Sequence, residues 1–580
     1  MSQAEKTVAL AALGAFLALP GPLAAQHAPD PGAGDGVVQD PWQVTADQWR
    51  EDLRFLDQAI RSRHPNPFHS VSEESFEAAI GRLDRRIPEL TYPQILVEFS
   101  RLVAMLGEGD GHSRVRLTPH FITSGGYPLR LWLFSDGLFV RSADPRYAGL
   151  VGQRVVWIGN EKTEDAIERL RPIVPGDNEA QKNLRIPFYM IMPEVMEGVG
   201  LVEERGRLAI VTENELGMQS SAVLTPVPFP ETHEGTITNL AYEPLRLGAP
   251  DEWLSMRDME ESPLYLRDPS DRYWYEHLAD ERTLYVQFNV VGDKEEGESV
   301  EQFFDRVFAL AARNDVERFV LDIRLNGGGN NFLARPIWYG LVGNKQLNRL
   351  GKLYVIIGRG TFSAAQNLAT ILDEHTEAVF VGEPTGGRPN HYGDARAVTL
   401  PNSGLRVSIS TLYWQDAMPW DDRAWVAPEI AADLTSADYA RNRDPVLETI
   451  LALSPEEVGR PLIGRLQAAY EAGGLEAAVE AYLAYKADPS HRYVSTEGAM
   501  TGAGYFLLGE GQVEEAIRIF QLNVEAYPDS WSVHEGLGEA YMAAGQTGLA
   551  IQSYEKSLEI NPDNDNSISM LEKLRMEEEG

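Results

Sequence analysis

ERFVLDIRLNGGGNNFLARPIWYG (317–340) and GKLYVIIGRGTFSAAQNLATILDEHTEAVFVGEPTGGRPNHYG (351–393) decide the fold. FVLDI, LYVII and AVFVG are apolar runs too short for helices and too uniformly hydrophobic for a sheet with one wet face, so they read as buried parallel strands. A glycine-rich turn and a helical pattern (Phe332, Pro336, Ile337, Tyr339) separate the first two; Thr361-Phe362-Ser363 and a helix through Ala364, Leu368 and Leu372 separate the second two. Strand, loop and helix, repeated, make a βαβ core, whose ligands sit beyond the carboxyl ends of the strands. Ser363 stands there.

Outward from this core the chain reads as an α/β multidomain protein. Upstream, 282–291 (RTLYVQFNVV) opens the core and a helix follows near 300–312. Leu53, Leu56 and Ile60, then Phe76, Ile80 and Leu83, then Ile95, Phe99, Leu102 and Leu106 have helical spacing, giving an N-terminal helical domain over 42–118. From 119 to 246 short strands dominate (LRLWLF, GLFVRS, QRVVWIG) with one helical insert near 163–170, so this stretch is a β-rich module; its strand and helix order is also that of a PDZ-like, peptide-accepting unit. The βαβ core is expected over 247–455.

Beyond 460 the pattern changes to helix pairs. GQVEEAIRIFQLNVEAYPDS and GQTGLAIQSYEKSLEINPDN superpose at an offset of 34 residues, with Gly511 on Gly545, Ala516 on Ala550, Phe520 on Tyr554 and Pro528 on Pro562. That period resembles the tetratricopeptide repeat and implies an all-α domain over 460–580 and a protein partner.

With 87 acidic against 51 basic side chains the net charge is −36, which argues against a nucleic-acid partner. The first 25 residues, with Lys6, an apolar run from Val8 to Leu19 and small residues to Ala25, read as a secretory signal peptide, so export to the periplasm or outside is expected, with no membrane span afterwards. There is no cysteine, and the 11 histidines show no metal-ligand spacing, so no thiolate chemistry, cofactor or metal is implied.

The nucleophile candidate is therefore a hydroxyl. Ser363 opens a helix whose N–H groups and dipole favour an oxyanion, and Gly327, Gly328 and Gly329 let backbone approach the same place. Equally, Ser363 serves as a simple helix cap and the glycines as a simple turn.

FVLDIRLNGGGN, GRGTFSAAQNLA, VGEPTGG, LPNSGLRVSI and VAPEI, in that order, resemble the serine peptidase family of the C-terminal processing and tricorn proteases; HPNPFH (64–69) and GDGHS (109–113) resemble its N-terminal part. The resemblance implies a crotonase-like (ClpP-like) core, Ser363 as nucleophile, and an oxyanion hole from Gly328, with Gly327, and Ala364. Processing proteases place a lysine 25 residues after the serine; Arg388 stands there, and arginine keeps its proton. Tricorn-type members use a histidine and an acid, which the resemblance puts at His112 and at Asp422 or Asp421. The acid is shorter than the family's Glu, Gly111 replaces a supporting serine, and Ser113 offers a substitute hydroxyl. His391 is the rival base, and Arg388 and His391 are also candidates for substrate binding. The resemblance thus implies an exported serine peptidase acting on peptides or protein C-terminal regions. The alternatives are a catalytically impaired peptide-binding scaffold and an esterase on the same apparatus.

Overall fold

A computed structural model describes residues 40–228, 253–257, 262–313, 316–453 and 462–579. The leader expected over 1–25 and the Pro-rich connection 229–246 lie outside the described residues.

The core is a six-stranded sheet. Its strands, Tyr273–Leu278, Thr283–Phe288, Arg318–Asp322, Leu353–Ile357, Val379–Gly382 and Ile430–Ala431, lie side by side in chain order. The first pairs antiparallel with the second, and all later pairs are parallel. Parallel neighbours need crossovers, and the helices Val300–Ala311, Arg335–Gly343 and Ala364–His375 supply the first three. Because every step runs the same way with the same hand, these helices share one face. Phe319, Leu321, Val355, Ile357 and Phe380 pack against them. Val320, Tyr354, Ile356, Val379 and Val381 face the opposite way, onto the helix Pro445–Ala452 through Val446, Leu447 and Ile450. Burial on both faces is why the three runs lack alternation.

The last crossover, 383–429, is not helical. Its hairpin Arg396–Thr399/Arg406–Ile409 reaches the N-terminal part and pairs with Arg114–Val115, in register Arg114↔Ser408 and Val115↔Val407. A two-stranded ribbon, Asn390–Gly393 with Leu412–Gln415, sits beside it.

The N-terminal helices Ala46–Arg63, Glu73–Arg86 and Tyr92–Ala104 begin at Thr45, Ser72 and Thr91, the first and third with reciprocal capping boxes. They share one hydrophobic core with a seven-stranded sheet that includes Leu129–Phe134, Gly137–Ala143, Arg154–Ile158, Leu208–Glu213 and Gln219–Leu224. The segment is β-rich, but it carries three helices, Thr163–Leu170, Glu179–Tyr189 and Pro193–Gly198, where one was expected. Val398, Leu405, Val407 and Ile409 belong to the same core, so the last crossover is anchored in the N-terminal part.

From Leu462 the chain is helical to Glu579. Phe520 packs where any Cβ on Gly504 or Gly536 would collide with it, and Tyr554 packs likewise on Gly538. The contacts Gly504–Phe520 and Gly538–Tyr554 are one contact repeated 34 residues on, which is the sequence period realised as packing.

Candidate active site

The strand Leu353–Ile357 runs out into Gly358-Arg359-Gly360-Thr361, a turn closed by Thr361 N–H to the Gly358 carbonyl at 2.8 Å. Thr361 Oγ1 accepts from Gly358 N–H and donates to the Ile323 carbonyl, and Phe362 N–H donates to the Asn326 carbonyl. The turn is thus stapled to the end of the neighbouring strand. The result is that Ser363 heads the helix Ala364–His375 with φ 55° and ψ −128°, a region a non-glycine residue enters only when its surroundings force it. Its side chain does not cap the helix.

Ser363 Oγ lies 3.0 Å from His112 Nε2. His112 reaches it through a polar network under the loop 109–113. Buried Asp110 accepts from Ser113 N–H at 3.1 Å, from Ser410 Oγ and from His64 Nε2 at 3.1 Å. His64 Nδ1 accepts from Asn66 N–H, which puts its proton on Nε2. Burial pushes the Asp110 carboxyl up, but the hydrogen bonds from His64, Ser113 and Ser410 outweigh it, so the group sits below its usual range. Ser113 Oγ accepts from Ser410 N–H at 2.9 Å, joining this loop to the last crossover. Ser113 therefore serves the network rather than His112. HPNPFH and GDGHS, 46 positions apart at His64 and Asp110, meet here.

Gly111 has its own reason to lack a side chain. A Cβ there would stand 2.1 Å from Gln181 Oε1 and 2.9 Å from Asp177 N. Its N–H donates to Asp177 Oδ1 and its carbonyl accepts from Arg185 Nη1 at 3.1 Å. Asp177 and Arg185 carry no motif in the sequence; only their burial, at 0% and 2% exposure, marks them.

The other side of His112 is different. Its Nδ1 is buried without a hydrogen-bond partner among the described residues. The ring packs on Phe362, with centroids 4.3 Å apart, and has parallel His391 beside it at 5.9 Å. Burial, then His391, Arg114 and Arg185, hold the imidazole well below its usual range, and Asp110 only partly opposes them. His112 is a neutral base in neutral solution.

Neither expected acid touches it. The Asp421 carboxylate is bound by Arg423, 2.7 Å away, which also pairs with Asp373. Asp422 is exposed and contributes only its carbonyl, to Arg388 Nη2 at 2.8 Å. Arg388 is spent on that carbonyl, on the Arg423 carbonyl and on Glu108 at 3.2 Å, so it fastens a loop and is not an open carboxylate receptor. His391 is buried, donates Nδ1–H to the Arg388 carbonyl at 3.1 Å, and leaves the serine to His112. A residue that the sequence reading passed over is Asp416. It follows the ribbon strand Leu412–Gln415, burial raises its carboxyl while nearby His391 opposes, and its Oδ2 is buried without a partner among the described residues.

At the oxyanion side, Gly328 presses on the nucleophile: a Cβ there would fall 2.6 Å from Ser363 Cβ. Its φ of 104° also requires glycine. The Gly328 N–H is already donated to Asn326 Oδ1 at 2.9 Å, which corrects the expectation that it serves an oxyanion. The Ala364 N–H, first in its helix, has no partner among the described residues. Gly327 belongs to the same loop and adds no bond of its own to the site. No group of three His, Cys, Asp or Glu residues suited to a metal ion occurs among the described residues.

Among solved structures the chain is similar to mature CPAF complexed with lactacystin, at 13% identity, covering 70% of this chain and 97% of that one, with a TM-score of 0.48. It is also similar to the photosystem II D1 C-terminal processing protease (13% identity, 71% and 98% covered, TM-score 0.33). A third is a putative S41 protease from Bacteroides fragilis (14%, 59% and 85%, TM-score 0.27). Residues 531–564 match the tetratricopeptide repeat. No match among curated proteins was found. At such identities and scores, the chemistry has to be read from this chain's own residues. Among the described residues no helix is long and apolar enough to cross a membrane.

Proposed function

We propose that this protein is an exported serine hydrolase that cleaves peptide bonds by acyl transfer. The observation that carries the reading is the 3.0 Å contact between His112 Nε2 and Ser363 Oγ, with the serine held at φ 55° on a strand-to-helix turn. Ser363 Oγ attacks the carbonyl carbon while its proton passes to His112 Nε2. The oxyanion of the tetrahedral intermediate forms at the positive end of the helix Ala364–His375, within reach of the Ala364 N–H. When the C–N bond breaks, His112 returns the proton to the leaving amine, and water then attacks the acyl-serine by the same base. The arrangement is a serine–histidine pair without a carboxylate on Nδ1. Export rests on the leader-like first 25 residues. The repeat array offers its helices to a protein partner, which fits a peptidase that receives its substrate from an assembly.

A second reading, a peptide-binding scaffold with impaired catalysis, draws on one observation: Nδ1 of His112 has no partner among the described residues to stabilise the imidazolium. Fluorophosphonate labelling separates the two. A hydrolase labels at Ser363 and loses the label in Ser363→Ala; a wild-type chain that stays unlabelled, or a Ser363→Ala chain that labels equally, overturns the proposal.

A further inference from the structure

Four parallel strands in succession end against one cavity. Arg324 and Leu325 follow Arg318–Asp322, Gly358 and Gly360 follow Leu353–Ile357, Glu383 follows Val379–Gly382, and Ala432 follows Ile430–Ala431. Ligands of parallel sheets gather at this end of the strands. The opposite wall includes Trp132, from the β-rich module, and Tyr265. The cavity measures about 50 Å³, and at ~10–15 Å³ for each water it holds roughly three to five waters or a molecule of comparable size.

Two observations make it more than a packing gap. Trp132 Nε1 and Tyr265 Oη are both buried with no hydrogen-bond partner among the described residues, on residues only 4% and 2% exposed. Buried donors are nearly always satisfied, and here both belong to residues that line the same space. An indole N–H only donates, so the occupant must accept. The charges argue against an anion. Arg324 is ion-paired with Asp322 and Asp444, and Arg359 with Glu383, so both lining guanidiniums are already engaged. The remaining lining, Leu184, Leu434 and Val446 among it, is apolar.

We infer that the cavity binds a small uncharged molecule whose carbonyl oxygen accepts from Trp132 Nε1–H and Tyr265 Oη–H, and that its occupancy acts on the turn carrying Ser363. A carbonyl oxygen has two lone pairs and takes both donors. The second half of the inference rests on the reading of Ser363 as nucleophile; the first half does not. The physical link is short. Gly358 and Gly360 line the cavity, the Gly360 position packs on the Arg324 carbonyl, and Thr361 closes the same turn two residues before Ser363. An occupant stiffens both Arg324-Leu325, which leads into the glycine loop, and the turn opposite it.

The test uses N-methylacetamide as the probe and the full chain. In ¹H–¹⁵N spectra the indole N–H of Trp132, assigned by its loss in Trp132→Phe, shifts saturably with the probe, and acetate at equal concentration produces a much smaller shift. Tyr265→Phe weakens probe binding about fivefold, the factor for one neutral hydrogen bond, and serves alone if Trp132→Phe does not fold. Ser363→Ala binds the probe as wild type does, so binding is read independently of any hydrolase activity. At saturating probe the rate of fluorophosphonate labelling at Ser363 changes severalfold in wild type and much less in Tyr265→Phe at the same concentration. A linear, unsaturable indole shift, or undiminished binding in Tyr265→Phe, means that water alone fills the cavity and overturns the inference; saturable binding with an unchanged labelling rate overturns the coupling to Ser363.

Discussion

Two loops at the site are built on opposite principles. The loop 109–113, which carries His112, is held by buried groups with defined partners: Asp110 on Ser113, Ser410 and His64, and Gly111 on Asp177 and Arg185. The loop 416–425, which carries both expected acids, is fastened by ion pairs, Arg423 with Asp421 and Asp373, and beside it Arg388 pairs with Glu108. A buried carboxylate that receives three hydrogen bonds has one arrangement worth adopting, whereas an ion pair that water reaches contributes less, bidentate Arg423–Asp421 being the firmest on the second loop. The base is therefore placed on the nucleophile by the fold, and its acid partner is left unplaced.

The largest effect is expected where the first principle delivers its product. His112→Ala should slow fluorophosphonate labelling of Ser363 by about 10²- to 10⁴-fold, the range for a positioned general base; a loss under tenfold would transfer the role to parallel, buried His391. Next comes the network itself. Asp110→Ala leaves the donors on His64, Ser113 and Ser410 without their acceptor and should cost about 3–5 kcal/mol of stability, as orphaned buried donors do. Denaturant unfolding measures it, and a cost under about 1 kcal/mol would mean the loop is held by its backbone pairing with 406–409 instead.

The same contrast explains what the sequence disclosed. The buried strands 318–322, 353–357 and 379–382 were legible because burial on both faces leaves no polar alternation, and the repeat was legible because Gly504–Phe520 and Gly538–Tyr554 recur at its period. Ser363 and His112 stood out through residue type and motif. Asp177 and Arg185 did not, because they act on the backbone of Gly111 from a stretch with no pattern of its own. The reason for glycine at 111 is a collision with Gln181, 70 positions away, which no local reading reveals. Asp421 and Asp422 were put at the acid's place by the resemblance alone, and their loop turns the first onto Arg423 and leaves the second exposed. Gly328 was assigned a free N–H, but Asn326, two residues earlier, turns its side chain back onto it.

A smaller effect is expected in the pH profile. Burial and the neighbouring His391, Arg114 and Arg185 hold His112 well below the usual imidazole range, with Asp110 opposing. The base works when neutral, so lowering its proton affinity keeps it competent as the solution is acidified. Labelling rates should therefore stay on their plateau through pH ~6.5, where an unperturbed imidazole is half protonated, and decline only below it. Asp110 bears on the acid limb with the opposite readout: its depressed carboxyl contributes stability present above the unfolded value of about 3.9 and lost as pH falls through the folded one. Circular dichroism across the same range separates the two. A midpoint at or above pH ~6.5 in folded protein would mean that a carboxylate has joined Nδ1.

The smallest effect tests the unplaced side directly. Asp422→Asn should leave the labelling rate within about twofold, since exposed substitutions of this kind stay near ±0.5 kcal/mol, and Asp421→Asn should do so because that carboxylate is held by Arg423 and does not touch His112. Asp422 enters the site only through its carbonyl, which the substitution keeps, and in Asp421→Asn the new side chain still accepts from Arg423 through its amide oxygen. A hundredfold loss in either variant would show that the loop 416–425 gives up its ion pairs when substrate arrives and swings that carboxylate onto Nδ1. For Asp421 the exchange requires leaving its bidentate pair with Arg423, whereas Asp422 is exposed and has no ion pair among the described residues, so it moves at the lower cost, and in either case the buried Nδ1–H gains an acceptor. Asp416→Asn then discriminates further. Its buried, unpartnered Oδ2 needs no ion pair broken before it reaches toward His391, so a loss confined to Asp416→Asn would place the acid on the ribbon and leave 421 and 422 as fasteners.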